Sequence, residues 1–136
     1  MRLVPLLLTL LLVACGAPQP PLVATDLEVT QPMPGRQMSA GFLVLTNNTG
    51  DDILISSVTS PQFESVEIHE TTIEDGIARM REIEELLVPA NGSVTLERGG
   101  KHLMMMHARN VQDAVTLHLM SGDVPVLTVE YSFQEQ

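Results

Sequence analysis

Four side chains in this sequence have the types and spacing to hold a metal ion: His69, Met80, His102 and Met104. Imidazole and thioether are uncharged donors, and the thioether is soft. A set of this kind favours Cu(I) over Cu(II), Zn(II) or the oxygen-seeking cations. No carboxylate is needed to neutralise a single positive charge. Thioethers also survive in an oxidising compartment, where free thiols pair or oxidise. Moderately weak, exchangeable ligands suit a protein that must release what it binds. Taken singly the residues say less. A strand histidine is more often hydrogen-bonded than metal-bound, and a methionine more often fills a gap in a core.

Spacing adds to type. His102 and Met104 are two apart in a strand-like stretch, so they project from one face together. Gly99-Gly100 just before them lets the backbone approach other elements closely. His69 and Met80 lie on either side of Glu74-Asp75-Gly76, a hairpin signature. With a two-residue turn at Asp75-Gly76, Glu74 pairs with Ile77 and Thr71 with Met80. His69 then lies diagonally across from Met80 on the same face. A four-residue loop preserves the shared face, and a three-residue loop separates the two residues. The two His/Met pairs converge if the stretch 102–108 lies beside this hairpin, a condition the sequence leaves open.

The elements that must position these residues read as strands with turn punctuation. Apolar or alternating stretches occur at 39–45, 53–59, 65–73, 77–83, 93–97, 102–108, 114–120 and 124–133. They are separated by Asn47-Asn48-Thr49-Gly50, Ser60-Pro61, Pro89-Ala90-Asn91-Gly92 and Gly99-Gly100. Val115, Leu117 and Leu119 share one face; Leu127, Val129, Tyr131 and Phe133 share another. Roughly seven to nine short antiparallel strands in about 110 residues indicate an all-β sandwich or small barrel. His118 alternates with two leucines and is expected to face outward. Met120, Met33 and Met38 read as packing or rim residues, and Glu82, Glu84 and Glu85 as a solvated acidic stretch.

The start of the chain reads differently. After Met1-Arg2, residues 3–13 form an almost unbroken apolar run. It has the length of a signal-peptide core and is too short to span a bilayer as a helix. The run ends in Leu12-Val13-Ala14-Cys15-Gly16, which resembles the bacterial lipoprotein processing box, with Cys15 as the lipidated residue. The alternative is an ordinary secretory cleavage site with an incidental cysteine. Residues 1–14 are therefore expected to be a signal peptide, 15–25 a Pro-rich tether and 26–136 a single domain. Gly16, rather than Asp, resembles an outer-membrane sorting signal.

Cys15 is the only cysteine. The expected domain thus holds no thiol. A disulfide, a thiolate zinc site, a blue-copper electron-transfer centre and thiol–disulfide chemistry are all excluded within it. A formal charge of −10 argues against phosphate-driven nucleic-acid binding. It suits solubility outside the cell, or a partner with a basic face.

The four candidate ligands are separated by ten, twenty-one and one residues. This spacing resembles the signature of the periplasmic copper chaperones called PCuAC. The flanks resemble it too: Ser39-Ala40-Gly41-Phe42, Val66-Glu67-Ile68-His69-Glu70-Thr71, Asp75-Gly76 before Arg79-Met80-Arg81, Val88-Pro89-Ala90, and Gly99-Gly100-Lys101-His102-Leu103-Met104. The likeness covers about residues 26–133. It implies a cupredoxin-like antiparallel β-sandwich or barrel and one Cu(I) bound at His69, Met80, His102 and Met104. It also implies delivery to a copper-accepting protein, the copper subunit of cytochrome c oxidase or another assembly chaperone.

The sequence departs from the family at Met105 and His107, which stand where a leucine and a glycine are usual. Met106 matches a frequent family methionine and shares the His102/Met104 face. Met106 and His107 are thus candidate secondary metal contacts. Met105 and His107 point away from that face if the strand is regular; there they would form a second, weaker copper contact at the rim or else be neutral replacements. A His/Met-rich tail of the kind some relatives carry is missing from Ser132-Phe133-Gln134-Glu135-Gln136. The expected protein is a carrier and not an enzyme, exported and tethered to the cell envelope. Copper storage or detoxification, and a surface β-domain without metal, are the competing functions.

Overall fold

The structure is a computed structural model that describes residues 18–32 and 35–133. Cys15, with the signal peptide and the first three residues of the expected tether, lies outside the described residues, as does Met33. The strands are β1 (Leu22–Val29), β2 (Met38–Asn47), β3 (Ile53–Ile55), β4 (Ser57–Thr59), β5 (Phe63–Glu74), β6 (Ile77–Glu82), β7 (Leu86–Val88), β8 (Ser93–Leu96), β9 (Lys101–Ala108), β10 (Ala114–Ser121) and β11 (Val124–Ser132). No helix occurs among the described residues.

All pairings are antiparallel. The main sheet runs β1-β2-β9-β5-β4-β10-β11, with β6 added to β5 and β8 added to β2; β3 and β7 form a separate ribbon. β1 and β11, at the two ends of the order, lie against each other. The sheet therefore nearly closes into a barrel, the cupredoxin-like architecture expected.

Period-two burial builds the interior. Leu43 and Leu45 from β2, Leu103 and Met105 from β9, and Val115, Leu117 and Leu119 from β10 are almost completely buried, with Ile55 and Val88 from the ribbon. Each such side chain contributes on the order of 2 kcal/mol by leaving water. Gly41 pairs with Leu103 where β2 meets β9. A methyl group on Gly41 would stand 3.1 Å from the Met105 terminal methyl and 3.3 Å from Leu103 Cβ. The missing side chain there lets β9 seat its two core residues.

Asn47 fastens the far end of β2. It is buried, and its amide donates to the carbonyls of Asp51 and Val88 while its oxygen accepts from the Thr49 amide and hydroxyl. The turn that begins at Asn47 is thus held by a buried side chain with its hydrogen bonds met.

Three features differ from the sequence reading. The first strand opens at Leu22, before residue 26, and Leu22 is buried. Asp26 has a left-handed backbone (φ 53°) beside an irregularity in pairing between Thr25 and Glu28. That bulge interrupts the alternation which would have marked the strand. The stretch 53–59 is two strands divided at Ser56, because Ile53–Ile55 pairs with β7 whereas Ser57–Thr59 pairs with β5 and β10. β7 itself is three residues long, too short for periodicity to register.

Candidate metal centre

The candidate centre is built on β5, β6 and β9. Asp75 and Gly76 both have left-handed backbones, at φ 53° and 76°. Two such residues make the tight hairpin turn whose twist matches its strands. Glu74 pairs with Ile77 and Thr71 with Met80. The loop has even parity, so His69, Thr71 and Met80 share a face. β9 lies directly beside β5 on its other side, with His69 opposite His102 and Glu67 opposite Met104. The Thr71 amide continues the junction by donating to the Gly100 carbonyl at 3.0 Å. Both conditions the sequence left open are met.

The rings of His69 and His102 stand with centroids 6.0 Å apart. A cleft of 320 Å³ lies beside them, lined by Met80, His102, Met104, Thr71, Phe42 and Ala40 among others. His69 is not among the residues that line it. Hollows of similar size elsewhere, such as the one bordered by Glu28, Thr30, Tyr131 and Phe133, carry no comparable donor set.

The hydrogen bonds assign the ring nitrogens. His102 is buried, and its Nδ1 lies 3.0 Å from the Gly100 carbonyl oxygen. A carbonyl only accepts, so Nδ1 carries the hydrogen and Nε2 keeps its lone pair. His69 Nε2 lies 2.8 Å from a carboxylate oxygen of Glu67. The hydrogen is therefore on Nε2, which in the neutral ring leaves the lone pair on Nδ1. That Nδ1 is buried and has no hydrogen-bond partner. A buried polar atom left unsatisfied costs about 1–3 kcal/mol and calls for a reason. Each ring thus has one nitrogen anchored by an acceptor and the other open, the arrangement in which metal-bound histidines are held.

The two thioethers differ in setting. Met104 is half-buried on β9; Met80 is 54% exposed on β6, whose six residues are all exposed. Phe42 lies beside His102, ring centroids 6.4 Å apart, and the Arg98 guanidinium sits 4.5 Å over the Phe42 ring while pairing with Glu28. This stack shields one side of His102.

Glu70 joins the donor-bearing strands. One carboxylate oxygen accepts from Lys101 Nζ at 2.9 Å and the other from Arg81 at 3.2 Å. Lys101 precedes His102, and Arg81 follows Met80. These two bonds, Lys101 first, hold the Glu70 carboxyl below the usual carboxylate range. Sequence reasoning assigned no role to Glu67 or Glu70. The hairpin register, once assumed, sets Arg81 opposite Glu70, which was the available signal.

The flanking residues separate. Met106 shares the His102/Met104 face and pairs with Ser65 on one side and Met38 on the other. Met105 is fully buried beneath Gly41. It belongs to the core and forms no rim contact. His107 is exposed at the far end of β9 with φ 54°, so the strand is not regular there.

Residues 22–130 match the LpqE-like lipoprotein family. The chain belongs to that family. The LpqE-like family is of the PCuAC type, and the fold agrees. A relative from Leifsonia xyli subsp. xyli (strain CTCB07), named as lipoprotein Lxx21020, is 28% identical over 101 residues. That match covers 70% of this chain and 61% of the relative, so it spans less than two thirds of the relative's length. The copper-bound PCuAC domain from PmoF2 shares the fold, with a TM-score of 0.67 at 16% identity over 82% of this LpqE-like chain and 91% of that domain. The solution structure of CuI-DR1885 from Deinococcus radiodurans gives a TM-score of 0.59 at 29% identity, covering 86% of this chain and 78% of that one.

Proposed function

We propose that this LpqE-like protein is an exported, lipid-anchored copper chaperone that holds one Cu(I) between His69, Met80, His102 and Met104. The observation that carries this reading is the pair of open ring nitrogens. His69 Nδ1 is buried without a partner, directly across from His102, whose Nε2 is left free by the bond to Gly100. Two thioethers on the same face complete a soft, neutral set suited to Cu(I). Resemblance to copper-bound and CuI-bound relatives supports the same metal.

The division of labour follows from exposure. His69, His102 and Met104 are held by a three-strand junction and receive the ion without reorganising. Met80 rides on an exposed edge strand and closes over it. Release to an acceptor begins with the ligand that water and a partner can reach, so Met80 leaves first and an acceptor ligand takes its place. The chain acts as a carrier and performs no catalysis. Lipidation at Cys15 confines it to the cell envelope, in the periplasm or at the outer membrane. The copper centre of cytochrome c oxidase, reached directly or through another assembly chaperone, is the acceptor.

X-ray absorption at the copper edge of the Cu(I)-loaded full chain, with Cys15→Ser removing the only thiol, tests the ligand set. Sulfur and imidazole scatterers together are expected; a shell of oxygen and nitrogen alone contradicts the reading. Delivery is tested separately. Cells lacking the protein should lose copper from their oxidase under copper limitation, and unchanged oxidase copper rejects that destination.

A further inference from the structure

The donor set does not end at Met104. β2, β9 and β5 lie side by side, and their register brings three thioethers onto one face. Met38 on β2 stands opposite Met106 on β9. Met106 is two residues from Met104 and therefore projects on the same side. Directly opposed residues of an antiparallel pair have their Cβ atoms about 5 Å apart, and diagonal ones about 7–8 Å. A methionine side chain spans such gaps. The same register sets Ala40 opposite Met104 and Ser65 opposite Met106. Small side chains thus lie beside the thioethers at these two pairings, while on the β5 side Met104 faces Glu67, whose carboxylate is engaged with His69.

Exposure is graded along this row. His102 is 5% exposed, Met104 and Met106 are half-buried, and Met38 is 47% exposed. The core side of β9 is already filled by Leu103 and Met105. Met38 and Met106 are not needed to pack the barrel, and they lie on the metal-facing side.

We propose that Met38, Met104 and Met106 form a second, weaker Cu(I) position that shares Met104 with the four-ligand centre. This rests on the Cu(I) reading above. Three thioethers suffice for a soft monovalent ion, and they bind it less tightly than a set with two imidazoles. Because Met104 belongs to both positions, the ion moves between them by exchanging neighbouring ligands without entering water. The outer position is the landing at which copper arrives while Met80 still covers the inner one.

Methyl-labelled methionine NMR of the full chain carrying Cys15→Ser, titrated anaerobically with Cu(I), tests the assignment. With the inner centre disabled by His69→Ala/His102→Ala, added Cu(I) is expected to move the Met38, Met104 and Met106 methyls together. Adding Met38→Leu/Met106→Leu to that variant should abolish the response. Should the alanine variant not fold, the parent chain answers the question alone. Beyond one equivalent of Cu(I), the Met38 and Met106 methyls should shift after that of Met80 has saturated, and the Met104 methyl should shift a second time as its thioether comes to bridge both ions. Met38 and Met106 methyls that stay still while Met80 and Met104 respond would overturn the second position and leave the four-ligand centre intact. No response from any methionine would overturn both.

Discussion

β9 and β6 each lend the candidate centre its donors, and they could hardly be more different supports. β9 runs through the middle of the sheet between β2 and β5, with Leu103 and Met105 locked in the core between the donors it carries. β6 hangs on the edge, paired with β5 alone, and exposes every residue. The lesson is that tight holding and easy release need not be properties of the same ligand. A site can be preorganised on one side and adaptable on the other, and the cost of ordering then falls on the adaptable side when metal binds.

The sharpest way to break this contrast is to remove a donor from β9. His102→Ala should lower Cu(I) affinity on the order of a hundredfold or more. It should also cost about 2 kcal/mol of stability, since it opens a cavity and removes the ring's bond to the Gly100 carbonyl, which keeps only its bond from the Thr71 amide. Chelator competition and thermal unfolding of the apo chain measure the two losses. Affinity lost with stability unchanged would mean that His102 is not part of the rigid half.

Next comes the seat of β9 itself. Gly41→Ala places a methyl group against Leu103 and Met105 and should cost about 1–2 kcal/mol by overpacking. Its Cu(I) affinity should fall as well, although Gly41 touches no metal. Affinity that holds steady would show that the donors do not depend on the seating of β9.

Met80→Leu should behave in the opposite manner. Met80 is 54% exposed, so the substitution leaves unfolding nearly unchanged while affinity drops about tenfold and copper release quickens. A loss of stability comparable to that of His102→Ala would erase the distinction between the two strands.

The smallest effect concerns Glu70, which ties β6 and β9 together. Its carboxyl titrates below the usual range because the folded state favours the charged form beside Lys101 and Arg81. The contribution is therefore complete above about pH 5 and is lost as the pH falls through the depressed value. Glu70→Gln should be slightly less stable than the parent at pH 7, and the gap should close towards pH 3. A gap independent of pH would mean that the charged bonds add nothing.

Much of this arrangement was legible before any coordinates. The Asp75-Gly76 pair marks the turn, and a two- or four-residue loop there sets Met80 opposite Thr71; only the structure decides against a three-residue loop. Alternation in 102–108 likewise separates Met104 from Met105. Other parts were not legible for physical reasons. The adjacency of β5 and β9 is a long-range pairing, which no local pattern encodes. β1 was hidden by the bulge at Asp26, and β7 by its brevity. Met38 lay next to a Pro/Gly-rich stretch, so only its pairing with Met106 gives it a place among the thioethers. The side on which His107 lies was conditional on a regular strand, and a left-handed residue at that point is not foreseeable from a histidine.

The most direct test is an anaerobic Cu(I) titration of the full chain carrying Cys15→Ser, in competition with a chromogenic chelator, beside the same chain with His102→Ala/Met104→Ala. One tightly held Cu(I) per parent chain, lost in the variant, is the predicted result. Equal retention of copper by the two proteins, or none by either, would contradict the claim that β9 holds the rigid half of a copper site.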